Sequence, residues 1–531
     1  MKLPILLFLL LFCFNMFGQS KSILELNQEY FDWYNKDLEI DGVMGASVNK
    51  AYLEFLDKRK SKKTTVVAVI DTGVDIDHED LQGKIWVNTN EIVGNNIDDD
   101  GNGYVDDING WNFLGNSKGE NLVYEQFEAT RIKCKNDSSD PLFFKAIGIY
   151  KTEFEKRREE RRDIELDQYY LSEFKAIIEN ETGIVVTSEK DLFKVKTNDK
   201  TVKGAVTILR RAYDSGFRDD LLEEFLEYNN NYLYYYLNPN YNGRKIIDDN
   251  PDNINDINYG NPQVNAPYSS HGTSAAGIIA GNRENNIGIK GICDNTLIMP
   301  IRAVPNGDEY DKDIALAIRY AVDNGAQIIN MSFGKPISPN PKFVYEAIHY
   351  AEEHNVLLVH SSGNEGLNLD TTILYPNPFY PDHNSAQSFI TVGASSIKKD
   401  KSLVAQFSNY GEKTVDIFAP GEYIIGLDSG NAYHEIQGTS FSSPVVSGVA
   451  ALVLSYFPEL TAFELKNILV NSSYKVVEPY KVFLPGTYRK GGLLSPKRKL
   501  IPFNKLSKNG GIVNAYNALV MAEEAVKNKK E

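Results

Sequence analysis

Two neighbouring stretches decide the fold: IALAIRYAVDNGAQIINMSF at residues 314–333 and FVYEAIHYAEEHNVLLVHSS at residues 343–362. Each begins with apolar residues at helical spacing and ends in a short apolar run, which is typical of a strand buried on both faces. A helix that leads into a strand twice in succession indicates crossover helices joining parallel strands. The two stretches therefore predict an α/β fold with a mostly parallel central sheet.

The same alternation continues on both sides of these stretches. TTVVAVI at residues 64–70 predicts an earlier buried strand, and FITVGA at 389–394 and TVDIFAPG at 414–421 predict later ones. VVSGVAALVLSYF at 445–457 is apolar but interrupted by a Ser-Gly pair, which favours a buried core helix over a membrane span. In such folds the functional groups gather at the carboxyl ends of the strands.

The alternation stops between residues 116 and 260, where charged residues and Tyr dominate. Apolar residues there keep helical spacing, which predicts an inserted, mainly helical subdomain; they are Phe154, Leu166, Tyr169, Tyr170, Phe174 and Ile177. The predicted divisions are a signal peptide at 1–19, a lead-in segment at 20–60, an α/β domain at 61–115 and 261–525, the insertion at 116–260 and a charged tail at 526–531.

The first residues, MKLPILLFLLLFCFNMFGQS, combine one Lys with a short apolar run. This pattern predicts a secretory signal peptide, although a buried N-terminal helix is the alternative. We therefore expect a secreted, periplasmic or cell-envelope protein. Two cysteines would remain after export, Cys134 and Cys293, and whether they pair is open.

Acidic residues outnumber basic ones, 72 against 56, which gives a formal net charge of −16. A surface this negative argues against nucleic acid or an anionic membrane as a partner, and it suits hard cations. No stretch after the signal predicts a membrane span. The oligomeric state is open.

Three reactive side chains stand where a strand ends or a helix begins. VVAVIDTG ends a predicted strand in Asp71, SSHGTSAAG opens a helix with His271, and QGTSFSSP places Ser440 at the start of the apolar helix. Taken singly, each has a structural alternative, namely a turn carboxylate, a helix-start imidazole and an N-cap hydroxyl. A helix N-terminus also offers unpaired N–H groups that suit a developing oxyanion.

Asp, His and Ser in this chain order, each in its own motif, resemble the subtilisin-like serine peptidases over most of residues 60–525, apart from the insertion. The resemblance implies a subtilisin-like three-layer fold and peptide or protein substrates. It also implies that Ser440 is the nucleophile, that His271 is the general base and that Asp71 orients it. Asn364, in HSSGNEG, would complete an oxyanion hole with the Ser440 N–H group.

The resemblance further implies which segments hold the substrate backbone. The segment in NMSFG would pair with the peptide as an added strand, and the segment in SSGNEG would flank the specificity pocket. The residues concerned are Ser332, Phe333, Gly334, Ser362 and Gly363. These segments contain no conspicuous charge, which favours a broad or apolar preference.

An acidic segment, NNIDDDGNGYVDDINGWNF, has the D-x-D-x-N-G-x-x-D spacing of the first nine positions of an EF-hand loop. It predicts calcium ligands at Asp98, Asp100, Asn102, the Tyr104 carbonyl and Asp106. The twelfth position is Asn109, so a closing ligand must come from elsewhere, and Asp107 is a candidate. The alternative is an acidic, solvated turn.

A second calcium site follows from the resemblance alone. It would join Asp80 to the loop after the His271 helix, with ligands from Asn282, Asn285 and the carbonyls of Ile287 and Ile289. Together these patterns predict an exported, calcium-stabilised serine endopeptidase. The alternative is a catalytically silent binding protein of the same fold, gated by its insertion.

Overall fold

The computed structural model describes residues 25–214, 219–257, 259–382, 384–476, 480–487 and 498–530, so the predicted signal peptide lies outside the described residues. The described chain forms two compact units. The smaller unit is Gln126–Asn242, and the larger unit flanks it in sequence. The larger unit includes residues 116–125 and 243–260, which the composition assigns to the insertion.

The larger unit contains all the described strands. These are β1 (Thr65–Asp71), β2 (Trp111–Asn112), β3 (Thr296–Arg302), β4 (Ile328–Met331), β5 (Leu357–Ser361), β6 (Phe389–Ser395), β7 (Ile417–Pro420), β8 (Ile424–Asp428), β9 (Ala432–Ile436), β10 (Tyr474–Lys475), β11 (Lys481–Phe483), β12 (Leu500–Pro502) and β13 (Gly511–Ile512).

Nine of these strands form one sheet in the order β10-β13-β7-β6-β5-β4-β1-β3-β2. All neighbours pair in parallel except β10 and β13, which pair antiparallel. The strands β8 and β9 form a separate antiparallel hairpin, and β11 pairs with β12. The mostly parallel α/β fold is therefore confirmed.

The helices of both units follow in chain order. They are α1 (Val48–Lys50), α2 (Glu128–Lys135), α3 (Phe143–Thr182), α4 (Glu189–Leu192), α5 (Lys200–Asp214), α6 (Asp219–Asn231), α7 (Ser270–Ala280), α8 (Asp311–Asp323), α9 (Pro341–Glu353), α10 (Thr439–Tyr456), α11 (Ala462–Asn471) and α12 (Ala515–Lys530). Short 3₁₀ or π turns occur at Gln28–Tyr30, Trp33–Asn35, Ala51–Phe55, Glu79–Leu81, Tyr232–Tyr236, Gly243–Ile246 and Phe503–Lys505.

The strand β1 is covered on both faces, which explains why it is apolar at every position between Thr65 and its terminal Asp71. Val67 and Val69 belong to the core that contains α7 and α10, whereas Ala68 and Ile70 belong to the core that contains α8 and α9. Successive side chains of a strand point to opposite faces, so a strand covered on both sides alternates between two cores. This arrangement leaves the strand ends as the place for polar groups.

The helix α10 has the length and hydropathy of a membrane span, but 83% of it is buried inside the folded chain. It contacts β1, β4, β5, β6 and β7. Burial of an apolar helix under a sheet accounts for its composition, as the interrupted pattern predicts. Cys134 is exposed, Cys293 is buried, and both are free thiols.

The smaller unit is built around the 40-residue helix α3, which packs on α2, α5 and α6. Five of its six buried residues recur every seven positions, at Tyr150, Arg157, Ile164, Leu171 and Ile178, and the sixth is Ala146. A seven-residue repeat keeps one seam of a helix turned to its neighbours. The helix is therefore as predicted, but part of the apolar set used to predict it lies outside the seam and is exposed: Leu166, Tyr169 and Tyr170.

Candidate active site

Asp71 and His271 meet where β1 ends and α7 begins. His271 Nδ1 lies 2.7 Å from Asp71 Oδ1, and the Thr72 N–H group donates to the same oxygen at 2.7 Å. A Cβ on Gly272 would lie 2.1 Å from the Gly73 carbonyl oxygen, so only glycine permits helix and strand to approach this closely. The hydrogen bond to Nδ1 leaves Nε2 as the proton-accepting atom of a neutral ring.

Two opposed effects set the charge of His271. Burial disfavours the imidazolium and lowers its pKa, but the charge and the hydrogen bond of Asp71 together outweigh burial. The pKa of His271 is consequently raised above its ordinary value of 6.5. Asp71 thus orients the ring and also stabilises its protonated form.

Ser440 is the second residue of α10. Its hydroxyl donates to the Ser332 carbonyl at 3.1 Å, and the Ser332 hydroxyl donates to the Ser440 carbonyl at 2.8 Å. Between the described side chains of Ser440 and His271 there is no hydrogen bond, although the rings of His271 and Phe441 lie 5.2 Å apart. Rotation of the serine side chain would be needed to bring its hydroxyl to the imidazole.

Asn364 follows β5 and is oriented by the residue before the serine. Its Oδ1 accepts hydrogen bonds from the Thr439 N–H group at 2.9 Å and from the Thr439 hydroxyl at 3.0 Å. Because both acceptor positions face Thr439, the amide nitrogen is left to donate elsewhere. The Gly363 N–H group donates to the same Thr439 hydroxyl at 3.0 Å, which joins the Asn364 segment to the start of α10.

The predicted substrate segments leave adjacent strands on the same side of the sheet. Ser332, Phe333 and Gly334 follow β4, and Ser362 and Gly363 follow β5. The sheet order β5-β4-β1 places Asn364, Ser332 and Asp71 at neighbouring carboxyl ends. The predicted catalytic and substrate-binding residues thus lie along the carboxyl ends of the strands, as expected for a parallel α/β sheet.

The ligands that the EF-hand spacing predicts in the acidic loop do not converge on one point. Asp98 accepts hydrogen bonds from the N–H groups of Gly101, Asn102 and Gly103. Asp106 accepts hydrogen bonds from the N–H groups of residues 94–96. Both carboxylates are therefore engaged in shaping the backbone of the loop. The Tyr104 ring packs on Trp111, Phe113 and Tyr320.

A different carboxylate set comes together in the same loop. Glu91, Asp100 and Asp107 each offer an oxygen within 4.8 Å of the others. Burial raises the pKa of Asp107 to about 6. Three convergent carboxylates suit a hard cation such as calcium, so the chemistry of the donor set fits. This set contains the predicted ligand Asp100 and the candidate closing ligand Asp107. Glu91 was not predicted, because its position depends on how the loop folds back.

The second predicted calcium loop does approach Asp80. The Asn285 side-chain amide donates to Asp80 Oδ1 at 2.6 Å, and the Ile289 N–H group donates to Oδ2 at 2.8 Å. The Asn282 N–H group reaches the Asp80 carbonyl, and the Ile287 N–H group reaches Asn285 Oδ1. Asp80 is the one carboxylate among the ligands predicted here, whereas the acidic loop brings three carboxylates together, so the acidic loop is the better fit for a cation.

The sequence profile of the subtilase family matches residues 62–498. The chain belongs to the subtilase family. It is therefore a member of a family of serine endopeptidases, and its central sheet with flanking helices is the subtilase fold.

Named relatives agree with this assignment. A thermophilic serine proteinase from Bacillus sp. (strain AK1) is 38% identical over 188 residues, which are 35% of this chain and 43% of that protein. Subtilisin DY from Bacillus licheniformis is 31% identical over 211 residues, 39% of this chain and 72% of that protein. A cell wall-associated protease from Bacillus subtilis (strain 168) is 34% identical over 200 residues, 38% of this chain and 20% of that protein. The chain thus spans less than half the length of the first relative.

Proposed function

We propose that this subtilase is an exported serine endopeptidase that cleaves peptide bonds in proteins through Asp71, His271 and Ser440. The 2.7 Å contact of His271 Nδ1 with Asp71, at the strand edge next to Ser440, carries the proposal. Export is supported by the apolar N-terminal stretch and by the cell wall-associated relative.

In this mechanism the Ser440 hydroxyl leaves the Ser332 carbonyl and turns to His271 Nε2. His271 takes the proton as Ser440 Oγ attacks the peptide carbonyl, and it returns that proton to the leaving amine. Asp71 keeps the ring in the tautomer that accepts at Nε2 and stabilises the imidazolium. A water molecule, activated by the same imidazole, then releases the acyl group from Ser440.

The tetrahedral oxyanion would be held by the Asn364 side-chain amide and the Ser440 N–H group. The amide is already oriented by Thr439, so little reorganisation is needed when charge develops on the substrate oxygen. The Ser440 N–H group lies in the first turn of α10, where N–H groups lack intrahelical acceptors.

Subtilases commonly bind calcium, and we propose that Glu91, Asp100 and Asp107 hold a structural calcium ion in this chain. The ion would neutralise three converging carboxylates and tie the two sides of the acidic loop together. It is assigned no part in the bond-breaking steps.

An active-site label tests the catalytic proposal. The folded protein, supplied with calcium, is treated with a fluorophosphonate that reacts only with an activated serine hydroxyl. Wild type and a Ser139→Ala control, altered at an exposed serine of the smaller unit, should label equally, and Ser440→Ala should not label. If folded wild-type protein does not label, the catalytic proposal is wrong, and the alternative of a catalytically silent binding protein is favoured.

A further inference from the structure

His360 is a polar side chain in an otherwise apolar part of the sheet. It lies in β5 after Leu357, Leu358 and Val359, pairs in register with Met331 of β4, and is 4% exposed. Its ring packs edge-on against Phe333, with centroids 6.3 Å apart, and lies 5.7 Å from the Phe389 ring. A buried imidazole costs free energy unless a partner satisfies its polar atoms.

The partner belongs to the predicted peptide-binding segment. His360 Nε2 lies 2.7 Å from the Phe333 carbonyl oxygen. A carbonyl only accepts hydrogen bonds, so Nε2 carries the proton and donates it. Burial lowers the pKa of His360 to about 4, and the ring is therefore neutral at neutral pH.

This hydrogen bond fixes the direction of the Phe333 carbonyl within the Ser332–Gly334 segment. The Phe333 carbonyl is bonded to His360, whereas the preceding Ser332 carbonyl accepts the hydrogen bond from the Ser440 hydroxyl. Consecutive carbonyls of the segment are therefore bonded to different elements, β5 and α10. Lys335 continues the segment and pairs with Tyr375 through two backbone hydrogen bonds of 2.9 Å.

His360 also borders open space. It lines a cavity of about 330 Å³ together with Ser362, Leu374 and Tyr375. His360 and Tyr375 back the Ser332–Gly334 segment, because a Cβ on Gly334 would lie 3.1 Å from the Tyr375 carbonyl oxygen and 3.7 Å from His360 Nε2. The hydrogen bond from the His360 ring, which packs against Phe333 and Phe389, adds a directed constraint to this contact.

We propose that His360 is a positioning residue for peptide binding: by donating its Nε2 proton to the Phe333 carbonyl, it keeps the Ser332–Gly334 segment in the orientation that pairs with an extended substrate. The inference rests on the proposed endopeptidase function. It concerns binding along the peptide backbone and gives His360 no contact with the reacting atoms.

The test compares two readouts in one set of variants. The first is kcat/KM for a tetrapeptide substrate, which uses the segment, and the second is the rate of labelling by a small fluorophosphonate, which does not. For His360→Leu we expect kcat/KM to fall about tenfold more than the labelling rate, mainly through KM, as expected for one lost buried hydrogen bond. His360→Gln, which keeps an N–H donor, should recover part of the loss.

The control is His354→Leu, since His354 also contacts a backbone carbonyl, that of Tyr350, but is exposed. It should behave as wild type in both readouts. Equal losses of both readouts in His360→Leu, or no loss, would overturn the inference. If wild type labels and His360→Leu loses both readouts equally or loses neither, only the inference about His360 is wrong. If wild type does not label, the endopeptidase proposal and this inference are both wrong.

A measurement on wild type covers the case in which His360→Leu does not fold. Nitrogen-15 NMR of histidine-labelled protein, with the signal assigned through His360→Gln, should show the Nε2–H tautomer with a slowly exchanging proton. The Nδ1–H tautomer, or a proton that exchanges as fast as that of exposed His354, would contradict the proposed hydrogen bond.

Discussion

At the scale of single residues, the chemistry of the candidate active site depends on how Asp71 changes the pKa of His271. Burial alone would make the imidazolium less stable and would leave a weak base. The adjacent carboxylate reverses this effect and raises the pKa of the ring. A general base acts only in its neutral form, so the raised pKa moves the onset of activity to higher pH.

We therefore predict that kcat/KM rises with pH through a midpoint above 6.5, because His271 stays protonated below its raised pKa. The pH dependence of fluorophosphonate labelling should show the same midpoint. Asp71→Asn removes the charge that raises the pKa and leaves the burial that lowers it, so histidine NMR titration of this variant should place the His271 pKa below 6.5. A wild-type midpoint below 6.5 would show that Asp71 does not outweigh the effect of burial on His271.

Some residues of the site could be placed from the sequence because the strand ends and helix starts that carry them are defined locally, and the resemblance then implied their roles. Asp71 and His271 each stand at a junction that a few neighbouring letters define. Glu91 and His360 gave no such signal, since their importance comes from partners brought near by folding: Asp107 for the first, and the Phe333 carbonyl for the second.

At the scale of elements, the two-faced burial of the strands explains why the sheet could be predicted from apolar runs alone. The lead-in segment, at residues 20–60, had no comparable periodicity. In the structure Trp33 and Tyr34 are fully buried in the core that contains α10. The Trp33 indole N–H donates to the Tyr423 carbonyl at 2.8 Å, and the Tyr34 hydroxyl donates to the Lys290 carbonyl at 2.9 Å.

This packing makes the described lead-in part of the folded larger unit, and we predict that Trp33→Ala lowers the free energy of unfolding by about 3–5 kcal/mol. The loss combines buried ring area with an unpaired Tyr423 carbonyl. Leu53→Ala, at a position 70% exposed in the same segment, should change stability by about 0.5 kcal/mol or less. Urea and thermal unfolding measure both variants, and a Trp33→Ala protein as stable as Leu53→Ala would show that the segment is dispensable.

At the scale of the whole molecule, part of the net charge of −16 lies in one loop. The acidic loop carries five Asp residues between residues 98 and 107. Several of these carboxylates are neutralised locally by backbone N–H groups, as Asp98 and Asp106 are. Glu91 also accepts backbone N–H groups, from Asp99, Asp100 and Asp106. In addition Glu91, Asp100 and Asp107 converge on one another, and a cation among them would relieve the repulsion between like charges.

A calcium ion bound only by the folded state would stabilise it by about 2.7 kcal/mol at a hundred times its dissociation constant. We therefore predict that a calcium chelator lowers Tm by about 3 °C and that added calcium restores it. Glu91→Gln removes one of the three charges and should abolish most of the difference in Tm between chelated and calcium-loaded protein. Asp77→Asn, at an exposed carboxylate outside the cluster, should leave that difference intact. If chelation does not change Tm, or if both variants respond alike, then the Glu91, Asp100 and Asp107 cluster is not the calcium site.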